Sequence, residues 1–305
     1  MKNAKVALIM VIMLVLSACS MNAPGTKKDA GATDKEGGYK IGFSISTLNN
    51  PFFVTLSDGA KAQAKEMDAS LTVIDAQDNA AKQASDVEDL IQQGVDLILI
   101  NPTDSSAVVA AVESANSAGI PVITVDRSAE GGEVVSHIAS DNKAGGELAG
   151  QYLIELVGDG AKVAELEGIA GSSAARDRGT GFNEMVKGKL DVVAKQTANF
   201  NRAEGLTVME NILQANPDIK GVFTHNDEMA LGALEAIEAA GKDIKVIGFD
   251  ATDDAVKSVE AGKLAGTVAQ KPDLIGKKAV EAAVQSLKGE TVEASIPVEL
   301  ELIKK

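Results

Sequence analysis

Ile41-Gly42-Phe43-Ser44-Ile45-Ser46-Thr47-Leu48-Asn49-Asn50-Pro51-Phe52-Phe53 changes its periodicity partway along. Residues 41–45 alternate as a strand does. From Phe52 onward the apolar positions Ala60, Ala64 and Met67 fall three or four apart, as on a helix. Pro51 suits a first helical turn and Asn50 the N-cap before it. The segment is therefore a strand-to-helix junction, and in an open α/β sheet the carboxyl end of a strand is where ligands bind. Two readings fit it. Two apolar rings and two amides at such an edge suit a ring-shaped polar ligand. A capped helix with a hydrophobic staple needs the same residues.

Outward from this junction, strands and helices alternate. Apolar, β-rich runs at 40–45, 71–74, 96–100 and 121–125 enclose Ala-rich helical stretches at 53–68, 82–93 and 105–118. Gly94 and Gly119 stand where helix C-termini favour a left-handed residue. A second series begins near Asp141, with helices expected at 143–157, 173–187, 202–215, 227–239, 253–261 and 273–287. Its strands are expected at 162–165, 192–195, 221–224, 245–249, 266–269 and 296–302. Alternation of this kind predicts an α/β fold, with parallel sheets covered on both faces, in two consecutive units.

The N-terminus carries its own signals. Lys2 and Lys5 precede an apolar run, Val6 to Leu16, that suits a signal-peptide core and is too short to span a bilayer. The run ends in Leu16-Ser17-Ala18-Cys19, with the chain's single cysteine. That pattern resembles a bacterial lipobox, and it predicts a signal peptide over 1–18 and a lipid on Cys19. An ordinary signal peptide with an incidental cysteine is the alternative. Residues 20–38 are Gly-bearing, mixed in charge and poor in apolar groups. They read as a flexible tether of about 25 Å root-mean-square span. With one cysteine no disulfide forms within the chain. Cleavage before Cys19 removes two lysines and no acidic residue, taking the formal charge from −15 to −17. So acidic a body argues against a nucleic-acid partner.

The residues after each strand share a chemistry. Asn101-Pro102-Thr103-Asp104, Asp126-Arg127, Asn199-Phe200-Asn201, His225-Asn226-Asp227, Asp250 and Gln270 put a carboxylate, a guanidinium or an amide at each expected ligand edge. Carboxylates accept hydrogen bonds from hydroxyls, Arg donates a planar fork, and amides do both. Phe52, Phe53 and Phe200 can cover the apolar faces of a sugar ring. Asp126 and Asp250 balance Arg127 and Arg178, so the set asks for no charged ligand. Helix capping is the competing role; Asp104, Asp227 and Asp253 are expected to do only that. Enzyme signatures are missing: no Gly-x-Ser-x-Gly elbow, Walker loop or cysteine nucleophile occurs, and His137 and His225 do not form a metal-spaced pair. Asp126 and Asp250 could in principle act as an acid and a base, and His137, inside an apolar strand, is expected to be structural. Neither a metal nor a cofactor is expected.

From about Lys40 to the C-terminus the chain resembles bacterial periplasmic sugar-binding proteins, in particular the D-ribose-binding family of ABC importers. The stretches that carry the resemblance are 46–53, 100–104, 121–127 and 135–142. They continue with Ala174-Ala175-Arg176-Asp177-Arg178-Gly179, with 226–233 and with Gly248-Phe249-Asp250. No one of them is specific; their collinear order is. The resemblance implies the type I periplasmic-binding-protein fold: two Rossmann-like lobes, joined by a three-crossing hinge near Ser140, Gln270 and Val298. The N-terminal lobe would comprise 39–140 with 271–298, and the C-terminal lobe 141–270 with 299–305. It also implies a sugar site of Asn50, Phe52, Phe53, Asp126, Arg127, Arg178, Phe200, Asn226, Asp250 and Gln270, with Arg176 on the surface. His225 and Asn201 stand where the family carries Gln and Asp. The implied activity is capture of D-ribose or a similar monosaccharide by a monomer, and its delivery to the permease and ATPase of an ABC importer. Another pentose, hexose or furanose, or a sensory role in chemotaxis or signalling, fits the same cleft. The signal sequence and the lack of a basic N-terminal helix-turn-helix segment exclude a repressor of this fold.

Overall fold

The computed structural model describes residues 38–305; the expected signal peptide, Cys19 and nearly all of the expected tether lie outside the described residues. Two six-stranded sheets organise them. In the first, β1 (Lys40–Ile45), β2 (Ser70–Asp75), β3 (Leu97–Ile100), β4 (Val122–Val125) and β5 (Ser136–Ser140) run parallel in the order 5-4-3-1-2. The interior strands Leu97-Ile98-Leu99-Ile100 and Val122-Ile123-Thr124-Val125 are buried along their whole length. Continuous β-branched and leucine runs are what a sheet covered on both faces requires. The pleat sorts them. Leu97 and Leu99 join Phe43, Ile123 and Val125 beneath α1 (Pro51–Glu66). Ile98 and Ile100 join Val122 beneath α2 (Ala80–Gln92) and α3 (Val109–Ser117).

After β5 the chain crosses into a second sheet of β6 (Lys162–Glu167), β7 (Asp191–Thr197), β8 (Gly221–Thr224), β9 (Lys245–Asp250) and β10 (Gly266–Ala269), ordered 10-9-8-6-7. Helices α4 (Asn142–Val157) and α5 (Ser173–Val186) cover one face, over Phe223, Ile247 and Phe249. Helices α6 (Arg202–Ala215) and α7 (Asp227–Ala239) cover the other, over Leu166, Val222 and Val246. The short α8 (Asp253–Glu260) lies between β9 and β10. From β10 the chain returns to the first lobe as α9 (Pro272–Leu287), which packs on α1, and β11 (Ser295–Val298), parallel to β5. It crosses a last time to β12 (Glu301–Lys304), antiparallel to β10. The fold is thus α/β, two-lobed and linked by three crossings.

Two expectations change. The run 296–302 is not one strand: it divides between β11 and β12, which belong to different sheets. The third helix starts at Val109 rather than at Ser105, because the Asp104 carboxylate accepts from the N–H groups of Ser106 and Ala107 and holds a turn before it.

Close helix contact places the side chains that matter below. A Cβ on Gly181 of α5 would stand 2.0 Å from the Lys143 carbonyl of α4, and one on Gly146 of α4 would stand 2.1 Å from the Arg178 carbonyl of α5. Only glycine on both sides lets the two backbones approach so far.

Candidate functional site

In each sheet the strand order reverses beside its first strand, between β1 and β3 and between β6 and β8, and residues beyond the carboxyl ends of the strands face one cavity. Asn50, Phe52 and Phe53 follow β1, and Asp126 and Arg127 follow β4. From the other lobe, Arg178 comes from α5, Phe200 from the turn after β7, Asn226 from the end of β8, Asp250 from β9, and Gln270 from the crossing after β10. All ten expected residues line this cavity, and among the described residues Ala174 is the only other that does.

Aromatic rings form the walls. Phe52 and Phe53 meet edge to face, with centroids 5.1 Å apart at 85°. The Arg127 guanidinium stands 5.0 Å from the Phe53 centroid and 5.3 Å from that of Phe200, between a ring of each lobe. Arg178 lies 3.8 Å over Phe249. Its Nε donates to Asn142 Oδ1 at 2.8 Å and its Nη1 donates to the His225 carbonyl. Asp250 accepts from Gln270 Nε2 at 2.8 Å and lies 3.8 Å from Arg178 Nη1. Asp126 Oδ2 lies 3.8 Å from Arg127 Nε and takes a 3.5 Å contact from Asn101 Nδ2.

The site is buried and charge-balanced. Asp126, Arg127, Arg178, Asn226, Asp250 and Gln270 are all buried. Burial pushes the Asp126 and Asp250 carboxyls above their ordinary value and the Arg127 and Arg178 guanidiniums below theirs; the opposite charges around each offset part of this. Three buried polar atoms here make no hydrogen bond within the protein: Asp126 Oδ1, Arg127 Nε and Gln270 Oε1. A buried unpaired group costs about 1–3 kcal/mol. Backbone strain gathers at the same place, with φ of 63° at Asp126, 59° at Phe200 and 121° at Asp250. For residues other than glycine each such conformation costs about 1–3 kcal/mol and persists where the surroundings impose it. Two acceptors and one donor, buried between aromatic faces, match a neutral polyhydroxylated ring. Each hydroxyl of such a ring can donate to a carboxylate or amide oxygen and accept from a guanidinium.

Some roles are those read in the sequence, among them the Asn50 cap, surface Arg176 and structural His137, and others differ. Asn50 and Asn226 are N-caps as well as lining residues. Asn50 Oδ1 accepts from Phe52 N at 3.0 Å, leaving its amide N–H groups for the cavity. Asn226 Oδ1 accepts from Met229 N at 3.0 Å, and its Nδ2 donates to the Phe200 carbonyl at 3.2 Å. Asp227 therefore does not cap α7. It is buried behind Asp250, where its carboxylate accepts from Thr252 N, Thr252 Oγ1 and Thr267 Oγ1, and burial pushes it up to about 7. Nor does Asp253 cap α8, whose N-cap is Thr252. Arg176 stays at the surface, paired with Glu130 at 2.9 Å. His137 shares a 2.9 Å hydrogen bond with Thr124 inside the first sheet.

Asn142, Phe249 and Asn101 escaped the sequence reading as support for the site. Asn142 and Phe249 hold Arg178, and Asn101 contacts Asp126. Each lay in a stretch already singled out, but nothing local distinguishes a residue that touches a ligand from one that steadies its neighbour.

The family pattern described as "Periplasmic binding protein domain" matches residues 41–291. The chain is 54% identical over 302 residues to the ribose import binding protein RbsB of Bacillus subtilis (strain 168), a match covering 99% of each protein. It is 56% identical over 267 residues to the ribose import binding protein RbsB of Escherichia coli (strain K12), covering 87% of this chain and 90% of that protein. Among solved structures, an ABC transporter solute binding protein from Bacillus halodurans C-125 with bound myo-inositol matches with a TM-score of 0.84 at 35% identity. That match covers 89% of this chain and 96% of the other.

Proposed function

The chain belongs to the periplasmic binding protein family, and on that premise we propose that it captures D-ribose between its lobes and delivers it to an ABC importer. The observation that carries this reading is the set of unpaired buried atoms, Asp126 Oδ1, Arg127 Nε and Gln270 Oε1, held between Phe52, Phe53 and Phe200 in a cavity of balanced charge. A sugar hydroxyl pairs with each of them, whereas an ionic ligand upsets the balance. Asn50, Asp126 and Arg127 reach the sugar from one lobe, and Arg178, Asn226 and Asp250 from the other. The sugar thereby stabilises the closed arrangement through contacts that only that arrangement offers. High identity to the two ribose import binding proteins supports ribose as the sugar. The same identities make this a binding protein rather than an enzyme.

As a periplasmic binding protein it acts outside the cytoplasm, and no helix among the described residues is long and apolar enough to cross a membrane. Lipid on Cys19 is the anchor we assign, supported by the apolar run from Val6 and by Leu16-Ser17-Ala18-Cys19. The body acts as a monomer beside the permease.

Calorimetry with D-ribose, other pentoses, hexoses and myo-inositol tests the reading. Heat of binding with ribose, lost in Asp250→Ala while the far-ultraviolet circular dichroism is unchanged, is the expected result. Heat with another ligand and none with ribose overturns the choice of sugar. Retained binding in the variant overturns the site. For the anchor, palmitate incorporation is expected in the intact chain and not in Cys19→Ala.

A further inference from the structure

His225 lies one residue from the cavity wall and touches nothing inside the cavity. Its ring is fully buried between β6 and α5. Nε2 lies 2.9 Å from Glu165 Oε1, and Nδ1 lies 3.3 Å from the backbone nitrogen of Gly168. The Gly168 N–H can only donate. Nδ1 must therefore accept, so the single ring proton sits on Nε2 and is donated to Glu165. The other carboxylate oxygen of Glu165 accepts from Asn183 Nδ2 at 2.8 Å and faces Lys195 at 3.5 Å. Every polar atom of the pair is thus satisfied in one protonation state, with a neutral imidazole and an ionised carboxylate.

Both ends of this pair reach lining residues. Gly168 lies flat beneath Phe200, so closely that a Cβ there would stand 2.1 Å from the ring. The His225 carbonyl accepts from Arg178 Nη1. Gly179, next to Arg178 on α5, passes 3.2 Å from both the His225 ring and Glu165 Oε1, measured from where its Cβ would be. The geometry points to His225 as a positioning residue of the sugar site: its neutral ring, clamped by Glu165, seats Phe200 through Gly168 and Arg178 through its own carbonyl, so that protonating the ring loosens both and weakens sugar binding. This inference rests on the sugar-binding reading and deepens it.

A second ring proton would sit on Nδ1 and point a donor at the Gly168 donor, which breaks that contact whatever Glu165 does. The charged groups that face the ring are Glu165 and Glu167 on β6, Lys195 on β7 and Arg178 on α5. Asp227, its neighbour at the start of α7, turns its carboxylate to Thr252 and Thr267 instead. Burial holds the imidazole below its ordinary value, against the opposing pull of Glu165, so the ring is neutral near pH 7. Burial pushes Glu165 up, but the hydrogen bonds and charges of His225, Asn183 and Lys195 together hold it below the usual carboxylate value. A glutamine reproduces the pattern without titrating, since its amide donates to Glu165 and its oxygen accepts from Gly168.

Two measurements on the full-length mature protein decide the matter. In the sugar-free protein, imidazole nitrogen spectra from about pH 8 to about pH 4.5 should give His225 as the Nε2–H tautomer at neutral pH, and the Arg178 Nε–H resonance should move with the His225 titration. The other tautomer, or an Arg178 signal indifferent to that titration, overturns the inference. Wherever those spectra report protonation of His225, wild-type affinity for D-ribose should fall by about tenfold or more relative to His225→Gln, the two agreeing within about twofold at pH 8. His225→Leu should weaken binding by about tenfold at pH 8 with its circular dichroism retained. Superposed wild-type and His225→Gln profiles, or wild-type affinity in His225→Leu, overturn the inference while leaving ribose binding intact. Absence of ribose binding at every pH overturns the choice of sugar instead, and the spectra alone then decide the role of His225.

Discussion

Arg127 lies 5.3 Å from the centre of the Phe200 ring, so a cation carried beyond β4 of one lobe rests on an aromatic face carried beyond β7 of the other. Phe53 holds the same guanidinium from its own lobe at 5.0 Å. A desolvated cation–π contact is worth up to about 2 kcal/mol. Because this one joins the lobes, it contributes to closure as well as to the wall of the site. Phe200→Ala should therefore weaken ribose binding by about 5- to 30-fold in calorimetry, chiefly by faster release of the sugar. Unchanged affinity would place Phe200 outside the site.

Two arginines two residues apart on α5 should behave in opposite ways. Arg178 is buried against Asp250, Asn142 and Phe249, and removing it leaves a buried carboxylate without its partner charge. Arg178→Ala should cost at least about a hundredfold in ribose affinity. Arg176 and Glu130 form a half-exposed pair across the lobes, worth at most about 1 kcal/mol. Arg176→Ala should change the affinity by less than about fivefold. Equal losses would refute the assignment of the two roles.

Gly181→Ala sets a methyl carbon 2.0 Å from the Lys143 carbonyl oxygen, inside van der Waals contact. Overpacking of this kind costs about 1–3 kcal/mol, to be read as a lower urea midpoint. Because it pushes α4 from α5, it should also part Asn142 from Arg178 and weaken ribose binding, although Gly181 does not line the cavity. A stable variant with wild-type affinity would show that this helix contact does not seat the arginine.

Asp227 should act on stability with a sign opposite to that of a salt-bridged carboxylate. Burial pushes its carboxyl up to about 7 in the fold, above its value in the unfolded chain. The folded state therefore binds the proton more tightly, and stability is lost as pH rises from about 4 to about 7. Asp227→Asn removes that dependence on pH. The difference in urea midpoint between wild type and variant should shift in the variant's favour as the pH is raised across this interval. A difference independent of pH would mean that Asp227 is ionised throughout.

Local pattern in the chain determined a good deal. Alternating and helical periodicities located nearly every element, because strands buried on both faces and amphipathic helices need those spacings wherever they sit. Strand ends carrying Asp126-Arg127, Asn226, Asp250 and Gln270 marked the ligand edge for a similar reason: a sheet buries its middle and leaves polar groups only where the strands stop. The partnership of those groups was decided by the tertiary structure alone. His225 pairs with Glu165 sixty positions away, and Asn142 reaches Arg178 only because glycines on α4 and α5 let the helices close. The run 296–302 reads as one strand, yet its halves join different sheets, because hydrogen-bonding partners are chosen in space and not along the chain. Residue type and spacing report what a segment can bury. Which charge balances which, and which oxygen is left for a ligand, depend on contacts between distant segments that no local pattern encodes.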